Sequence, residues 1–345
     1  PNFLMSLVSA SAFTVAETMN LQTTGGSSSV RYTGQYAMRN AGAAARQMLI
    51  KAASIRWGVP VEEISTELSH IHHYTTGKSL SFGELAADAA VLEPPNELIL
   101  KERSKFNIMG RAISRKDIPA KVDGTAMYGL DAHSNDMLYA AIKLAPVFGT
   151  KLVSVDTSRA LAQRGVKRVI ELEDSVAVVA DNYWRAKQAL ALVNATFEKS
   201  ENDRISSSDI AARFDKELAE SNGTADKEVG DANAALETAE DIIEASYRVP
   251  YLAHAAMEPM NCTVHIQGDR AEMWTSTQDA LGIKGRVAKI AGLPEENVFF
   301  HQTYCGGGYG RRLPFNWNMI DHATLIAKEF EVPVKTIFSR EEDMQ

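Results

Sequence analysis

The residues from Tyr304 to Arg312, YCGGGYGRR, carry the strongest chemical signal in the chain. Three consecutive glycines and a fourth at Gly310 are entropically costly to order, so the run needs a local reason. Close approach of backbone to a ligand supplies one, with the peptide N–H groups of Gly306, Gly307, Gly308, Tyr309 and Gly310 turned toward anionic oxygens. Arg311 and Arg312 carry forked donors suited to phosphate or carboxylate. A dinucleotide fingerprint does not fit, because the last glycine of G-x-G-x-x-G, counted from Gly306, falls on Arg311. Nor does any segment match G-x-x-x-x-G-K-[ST]. Taken alone, the motif reads equally well as a glycine-rich bend between strand and helix.

A second candidate is TGGSSS at Thr24–Ser29. Gly25 and Gly26, followed by Ser27, Ser28 and Ser29, are suited to holding a pyrophosphate through backbone and hydroxyl donors. By composition alone it reads more readily as an ordinary flexible loop. Other residues take plainer readings. His254 and Glu258 are four apart and meet only on a helix, yet Pro250 and Pro259 flank them; with the family resemblance described below, this implies an extended or bent wall of the site, with Glu258 structural or pocket-lining rather than a base. Cys305 has no histidine partner in view and is expected to be a buried, inert thiol. His70, His72 and His73 sit on adjacent or alternating strand positions, so a single metal could not easily bind all three, and they read as a solvated strand end. Asp174, Asp181 and the tail Glu341, Glu342 and Asp343 read as caps or solvent-facing charges.

The elements that must position these groups follow from periodicity. Ala41, Ala45, Met48, Leu49, Ala52 and Ile55 share a helical face that Gly58 and Pro60 end. Thr75–Lys78 reads as a hairpin turn. Ser81 and Glu84 form a capping box for a helix through Ala90, and Pro94–Pro95 stop it. Strands are expected at Leu138–Leu144, Leu152–Val155, Val169–Leu172 and Val176–Ala180, with a short helix capped by Asp156 and another over Asn182–Val193. Further on come strands at Cys262–Ile266, Val298–His301 and Val334–Phe338, and helices at Ala280–Ala291 and Asn318–Phe330. The pattern predicts a mixed α/β fold. The expected divisions are residues 1–105, 106–200, a linker with a short helix over 201–229, and 230–345.

Composition narrows the function classes. With 345 residues, 45% apolar and 23% charged, the chain is that of a soluble globular protein. A net charge of −8 argues against a nucleic-acid partner. No apolar run is long enough to span a bilayer. Cys262 and Cys305, the two cysteines, make neither a disulfide framework nor an iron–sulfur ligand set, so any cluster must sit on another chain. Pro1 is not an initiator and the last residues read as an unclosed strand, so an internal piece of a longer polypeptide is expected.

The order of the motifs is more specific than any one of them. TGGSSS, GRAISRKDIPAKVDGTAMYGLD (Gly110–Asp131), YLAHAAMEPMNC (Tyr251–Cys262), WTSTQ (Trp274–Gln278) and CGGGYGRR follow one another along nearly the whole chain. This series resembles the molybdopterin-binding large subunit of the xanthine dehydrogenase/aldehyde oxidase family, in particular its isoquinoline 1-oxidoreductase beta-subunit branch. The resemblance implies a molybdenum-cofactor-binding domain with an inserted α/β hammerhead module over 106–200. It implies that Gln278 donates a hydrogen bond to the apical oxygen ligand of molybdenum, with the Gly308–Tyr309–Gly310 backbone facing the same ligand sphere, and that no side chain here coordinates the metal. TGGSSS would lie near the dinucleotide end of the cofactor. Tyr309 stands where the family usually has phenylalanine.

The implied activity is hydroxylation of an N-heterocycle or oxidation of an aldehyde with oxygen from water. The implied cofactor is molybdopterin cytosine dinucleotide. Electrons would pass to a small subunit carrying [2Fe–2S] clusters, with a cytochrome as acceptor. The catalytic glutamate is expected in the remainder of the large subunit, so this chain alone should be inactive. A periplasmic location follows by analogy with the branch's twin-arginine signals. A non-catalytic scaffold of the same fold and an NAD- or FAD-dependent oxidoreductase are the alternatives.

Overall fold

The computed structural model describes residues 24–344 apart from 28, 221, 222, 225 and 314–317. The chain divides into two compact units, one within Thr23–Ala126 and one within Met127–Gln345.

In the first unit, Ser29–Met38 winds into α1 (Arg39–Trp57). Gly58 ends that helix at φ 68, where its N–H reaches the Ser54 carbonyl at 2.9 Å, a left-handed cap that glycine adopts without strain. Strands β1 (Ile64–Glu67), β2 (His70–His73) and β3 (Lys78–Ser81) form an antiparallel sheet. The expected capping box opens α2 (Phe82–Ala90): the Glu84 N–H donates to Ser81 Oγ at 3.2 Å and the Ser81 N–H to Glu84 Oε2 at 2.8 Å. Ala52 and Ala53 of α1, Ile64, Ile71 and Leu85 close a small core. The histidines of β2 do not all face solvent. His73 is buried, with Nδ1 at 2.7 Å from Thr76 Oγ1 and Nε2 at 2.8 Å from Glu63 Oε2. It points to the core side of the pleat, whereas His70 is exposed.

The second unit is built on a seven-stranded sheet. Its strands are β4 (Leu138–Leu144), β6 (Val166–Glu171), β7 (Ser175–Ala180), β9 (Asn261–Gln267), β10 (Arg270–Thr275), β11 (Val298–Gln302) and β12 (Val334–Ile337). They lie in the order β11-β10-β9-β12-β4-β7-β6. A separate pair joins β5 (Leu152–Asp156) to β8 (Asn194–Phe197). Every residue of β7 is buried, as its unbroken apolar run requires of a strand covered on both faces. Helices α3 (Tyr183–Leu190), α4 (Ser207–Glu220), α5 (Ala280–Ala291) and α6 (Asn318–Ala327) follow in chain order. Val264, Met273, Ile283, Met319, Ile326 and Phe338 are fully buried between α5, α6 and the sheet.

Several details differ from expectation. Asp156 does not cap a helix as its N-cap. The short helix Ser158–Leu161 has Thr157 there, and Asp156 instead accepts from the Ser158 N–H at 3.0 Å. Strand β10 was unmarked in the periodicity. The strands from 138–180 also do not close on themselves: β4 pairs in parallel with β12, Val334 opposite Leu138, so one sheet runs across residues 106–200 and 230–345. The division between the units falls at Ala126/Met127.

Candidate functional site

Strands β10 and β11 are parallel and α5 crosses between them, so the turns that leave their carboxyl ends emerge on one side of the sheet. Ser276–Gln278 leaves β10 and Thr303–Arg312 leaves β11 there. Antiparallel β9 begins at the same end, and the Thr275 hydroxyl donates to the Asn261 carbonyl at 2.7 Å. The topology thus gathers MEPMN, STQ and the glycine run, though forty-eight residues separate Glu258 from Gly306.

Glu258 is the centre of this gathering. Its side chain is buried, and the groups around its carboxylate are donors. Oε1 accepts from the Leu130 N–H at 3.1 Å and Asn261 Nδ2 at 3.0 Å. Oε2 accepts from the Gly306 N–H at 3.0 Å, with Ser276 Oγ and Arg312 Nη2 each at 3.4 Å. In return the Glu258 N–H donates to the Gly306 carbonyl at 3.0 Å. A carboxylate so fully solvated by protein donors is a brace for the loop, and its lone pairs are committed. The structural role expected for Glu258 matches this geometry. Behind it, Lys335 Nζ donates to the Leu130 carbonyl at 2.6 Å, and burial pushes that amine below its usual range.

The two arginines turn inward. Arg312 donates through Nε to the Gly307 carbonyl at 2.9 Å and through Nη2 to the Glu258 carbonyl at 2.9 Å, with its side chain almost wholly buried. Arg311 lies 3.7 Å from buried Asp343 and 3.5 Å from Asn318 Oδ1. Both were read as candidate ligand donors. In the fold their partners are protein carboxylates, carbonyls and an amide. Asp343 is accordingly not solvent-facing, and Glu342 accepts from the Leu144 N–H at 2.9 Å. Asp174 binds His322 at 2.8 Å.

The glycines themselves are required by space. A methyl at Gly306 would overlap Glu258 Cβ, and one at Gly308 would sit 2.7 Å from Gln278 Oε1. Gly307 has φ 114 and passes Ala256, where a Cβ would lie 3.1 Å from its methyl. Tyr309 is left-handed at φ 54 and exposed, carried at the loop's tip. Gln278, half-buried, donates its N–H to the Arg312 carbonyl at 3.0 Å and accepts from the Gly310 N–H at 3.1 Å through Oε1. That second bond fixes which end of the carboxamide is oxygen, and so which end carries its donors. Among the described residues, the N–H groups of Gly307, Gly308 and Tyr309 make no hydrogen bond. A set of unsatisfied backbone donors next to an oriented amide suits an oxygen-bearing anionic ligand. The residues therefore fit the oxygen-rich end of a molybdenum cofactor.

Cys305 is exposed, with Sγ 3.1 Å from the Gly307 carbonyl, against the expectation of burial. The buried thiol is Cys262, pushed up to about 12 by desolvation. His254 is exposed in the non-regular segment before Glu258, consistent with a bent wall. The TGGSSS loop belongs to the other unit. There Gly26 and Ser27 are left-handed at φ 56 and 61, and the Ser27 carbonyl accepts from the Val30 and Arg31 N–H groups. Ser28 and the side chain of Ser29 lie outside the described residues. No group of three or more metal-ligating side chains occurs among the described residues. Glu258's bracing of the loop left no local signal in sequence, since its partner Gly306 is forty-eight residues away; Lys335, an isolated lysine in an apolar strand, was the available signal of a buried polar centre.

Comparison with known proteins gives the chain's family. The family described as molybdopterin cofactor-binding domain matches residues 214–345. The chain is 30% identical over 350 aligned positions to isoquinoline 1-oxidoreductase subunit beta of Brevundimonas diminuta, covering 89% of this chain and 45% of that protein. It is 30% identical over 342 positions to a membrane-bound aldehyde dehydrogenase (pyrroloquinoline-quinone) of Gluconacetobacter polyoxogenes, covering 94% and 44%. It is 30% identical over 263 positions to the aldehyde oxidoreductase molybdenum-binding subunit PaoC of Escherichia coli K12, covering 68% and 35%. The chain thus spans less than half the length of these relatives. In fold it is similar to quinoline 2-oxidoreductase from Pseudomonas putida 86, with TM-score 0.51, 17% identity, and 68% of this chain and 35% of that one covered. Aldehyde oxidoreductase from Desulfovibrio gigas matches at TM-score 0.50 and 19% identity, covering 67% and 30%. The motif series, the matched domain and these relatives together make the chain a member of the xanthine dehydrogenase/aldehyde oxidase family of molybdopterin-binding oxidoreductases.

Proposed function

We propose that the chain forms one wall of the cofactor site of a molybdenum hydroxylase, whose complete form oxidises an N-heterocycle or an aldehyde with oxygen taken from water. One observation carries this reading: the carboxamide of Gln278, oriented by the Gly310 N–H, stands beside the backbone donors of Gly307, Gly308 and Tyr309. Bound there, the cofactor would supply the Lewis-acid and redox chemistry that side chains lack. The chain's own part is electrostatic and steric. Gln278 and the loop amides hold fixed donors toward oxygen, which stabilises negative charge without reorganisation. Glu258 and Arg312 keep that loop in register from beneath. With Glu258 fully engaged, proton acceptance is assigned to the remainder of the large subunit.

The same proposal includes the cytosine dinucleotide form of the cofactor, held in part by the Gly25–Ser29 loop. It assigns residues 106–200 to an α/β hammerhead-type module. It also includes a [2Fe–2S] partner subunit, a cytochrome as electron acceptor and a periplasmic location. Names such as "subunit beta" and "molybdenum-binding subunit" among the relatives support a multi-subunit enzyme. The test is metal and nucleotide analysis of the matured, complete complex. Molybdenum and cytidine nucleotide released together support the reading; a properly matured complex without molybdenum would leave a scaffold of the same fold.

A further inference from the structure

Residues 243–251, IEASYRVPY, alternate strictly between apolar and polar or small positions, the pattern of a half-buried strand. In the structure they form neither strand nor helix, and every residue from 241 to 255 is exposed. Ile243 is 96% exposed, Tyr247 90%, Val249 89% and Tyr251 74%. An apolar row of this size in water is a surface that awaits a cover. Arg248, on the opposite parity, is already engaged by α4, its Nη2 2.6 Å from Asp215 Oδ2.

The backbone says which edge is to be covered. In a strand the N–H and C=O of one residue point to the same edge, and those of its neighbours to the other. Ile243, Ala245, Tyr247, Val249 and Tyr251 therefore present an unbroken row of donors and acceptors along one edge. Pro250 interrupts the other, which marks that side as the outer edge of a sheet. A lipid occupant does not suit Glu240, Asp241 and Glu244, which are exposed along the same stretch. The relatives offer a source of the missing strand, since the matched span is only 45% and 44% of two of them.

We infer that residues 243–251 form an edge strand, paired along the edge of Ile243, Ala245, Tyr247, Val249 and Tyr251 by a strand from the part of the large subunit outside this span. This rests on the proposed reading of the chain as part of such a subunit. The strand leads directly into His254–Glu258, so the pairing segment is delivered to the wall of the cofactor site.

Hydrogen exchange on the complete complex and on the 345-residue chain alone tests it. Amides of the five edge residues should exchange at least ~100-fold more slowly in the complex than in the chain, as ladder amides do. Ala245→Pro, which deletes a donor on the pairing edge, should abolish that protection, whereas Ser246→Pro, on the outer edge, should preserve it. Free exchange in the complex would overturn the inference, as would equal effects of the two proline variants. Protection already present in the chain alone and lost on dilution would assign the edge to a second copy instead. Molybdenum content of the same complex is read separately, so protection without molybdenum would sink the hydroxylase reading and leave this surface standing.

Discussion

At the scale of residues, the informative carboxylate is the one that braces the glycine loop. Leu130, Asn261, Ser276, Gly306 and Arg312 all donate toward Glu258. Glu258→Gln would aim an amide at one of these donors and leave Arg312 buried without a counter-charge. Breaking a buried pair of this kind costs about 3–5 kcal/mol, so chemical denaturation should show a loss of that order; a loss below about 1 kcal/mol, the range of an exposed pair, would refute the bracing role. The loop itself was legible in sequence, because four glycines in five residues from Gly306 to Gly310 announce close approach. Gln278 was legible only through its company. The direction of Arg311 and Arg312 was not, since a guanidinium after a glycine loop reads the same whether it faces a ligand or the core. Cys305 failed for a related reason: a thiol beside a glycine run reads the same in sequence whether it faces solvent or the core, and here it is exposed.

At the scale of elements, local signals were read well where side-chain period and cap agreed. Helix α2 is the clearest case, with Ser81 and Glu84 exchanging both bonds of the box. Ser81→Ala should destabilise the Thr23–Ala126 unit by about 1 kcal/mol, measured by thermal melting, and a neutral result would show the helix held by Leu85 and Ala89 alone. Strand β10 was missed although Ala271, Met273 and Thr275 alternate inward. Arg270 and Glu272 gave it the look of a charged loop, and its burial comes from pairing with both β9 and β11. Strand β8 was missed because its partner β5 is more than thirty residues away in sequence, beyond any local period.

At the scale of the whole molecule, sheet order was hidden because the decisive pairings are remote: β12 sits between β9 and β4. Across the second unit, the Asp174–His322 bond ties the turn after β6 to α6. The hydrogen bond from His322 holds the Asp174 carboxyl below its ordinary value of 3.8. A depressed folded-state value contributes stability that is present above the unfolded value and lost as pH falls through the folded one. Asp174→Asn should therefore melt below the parent at neutral pH, and the gap should narrow progressively below pH 3.8. A gap independent of pH would mean the carboxylate's charge plays no part.

The claim on which everything else depends is that Gln278 and the glycine-loop amides face the cofactor's oxygen. It is tested most directly by the Gln278→Ala variant of the complete complex, with turnover at saturating substrate measured alongside bound molybdenum. Loss of one preorganised donor typically lowers kcat by about 100-fold or more. The account predicts a fall of that order with molybdenum retained. Unchanged kcat at full molybdenum occupancy would contradict it.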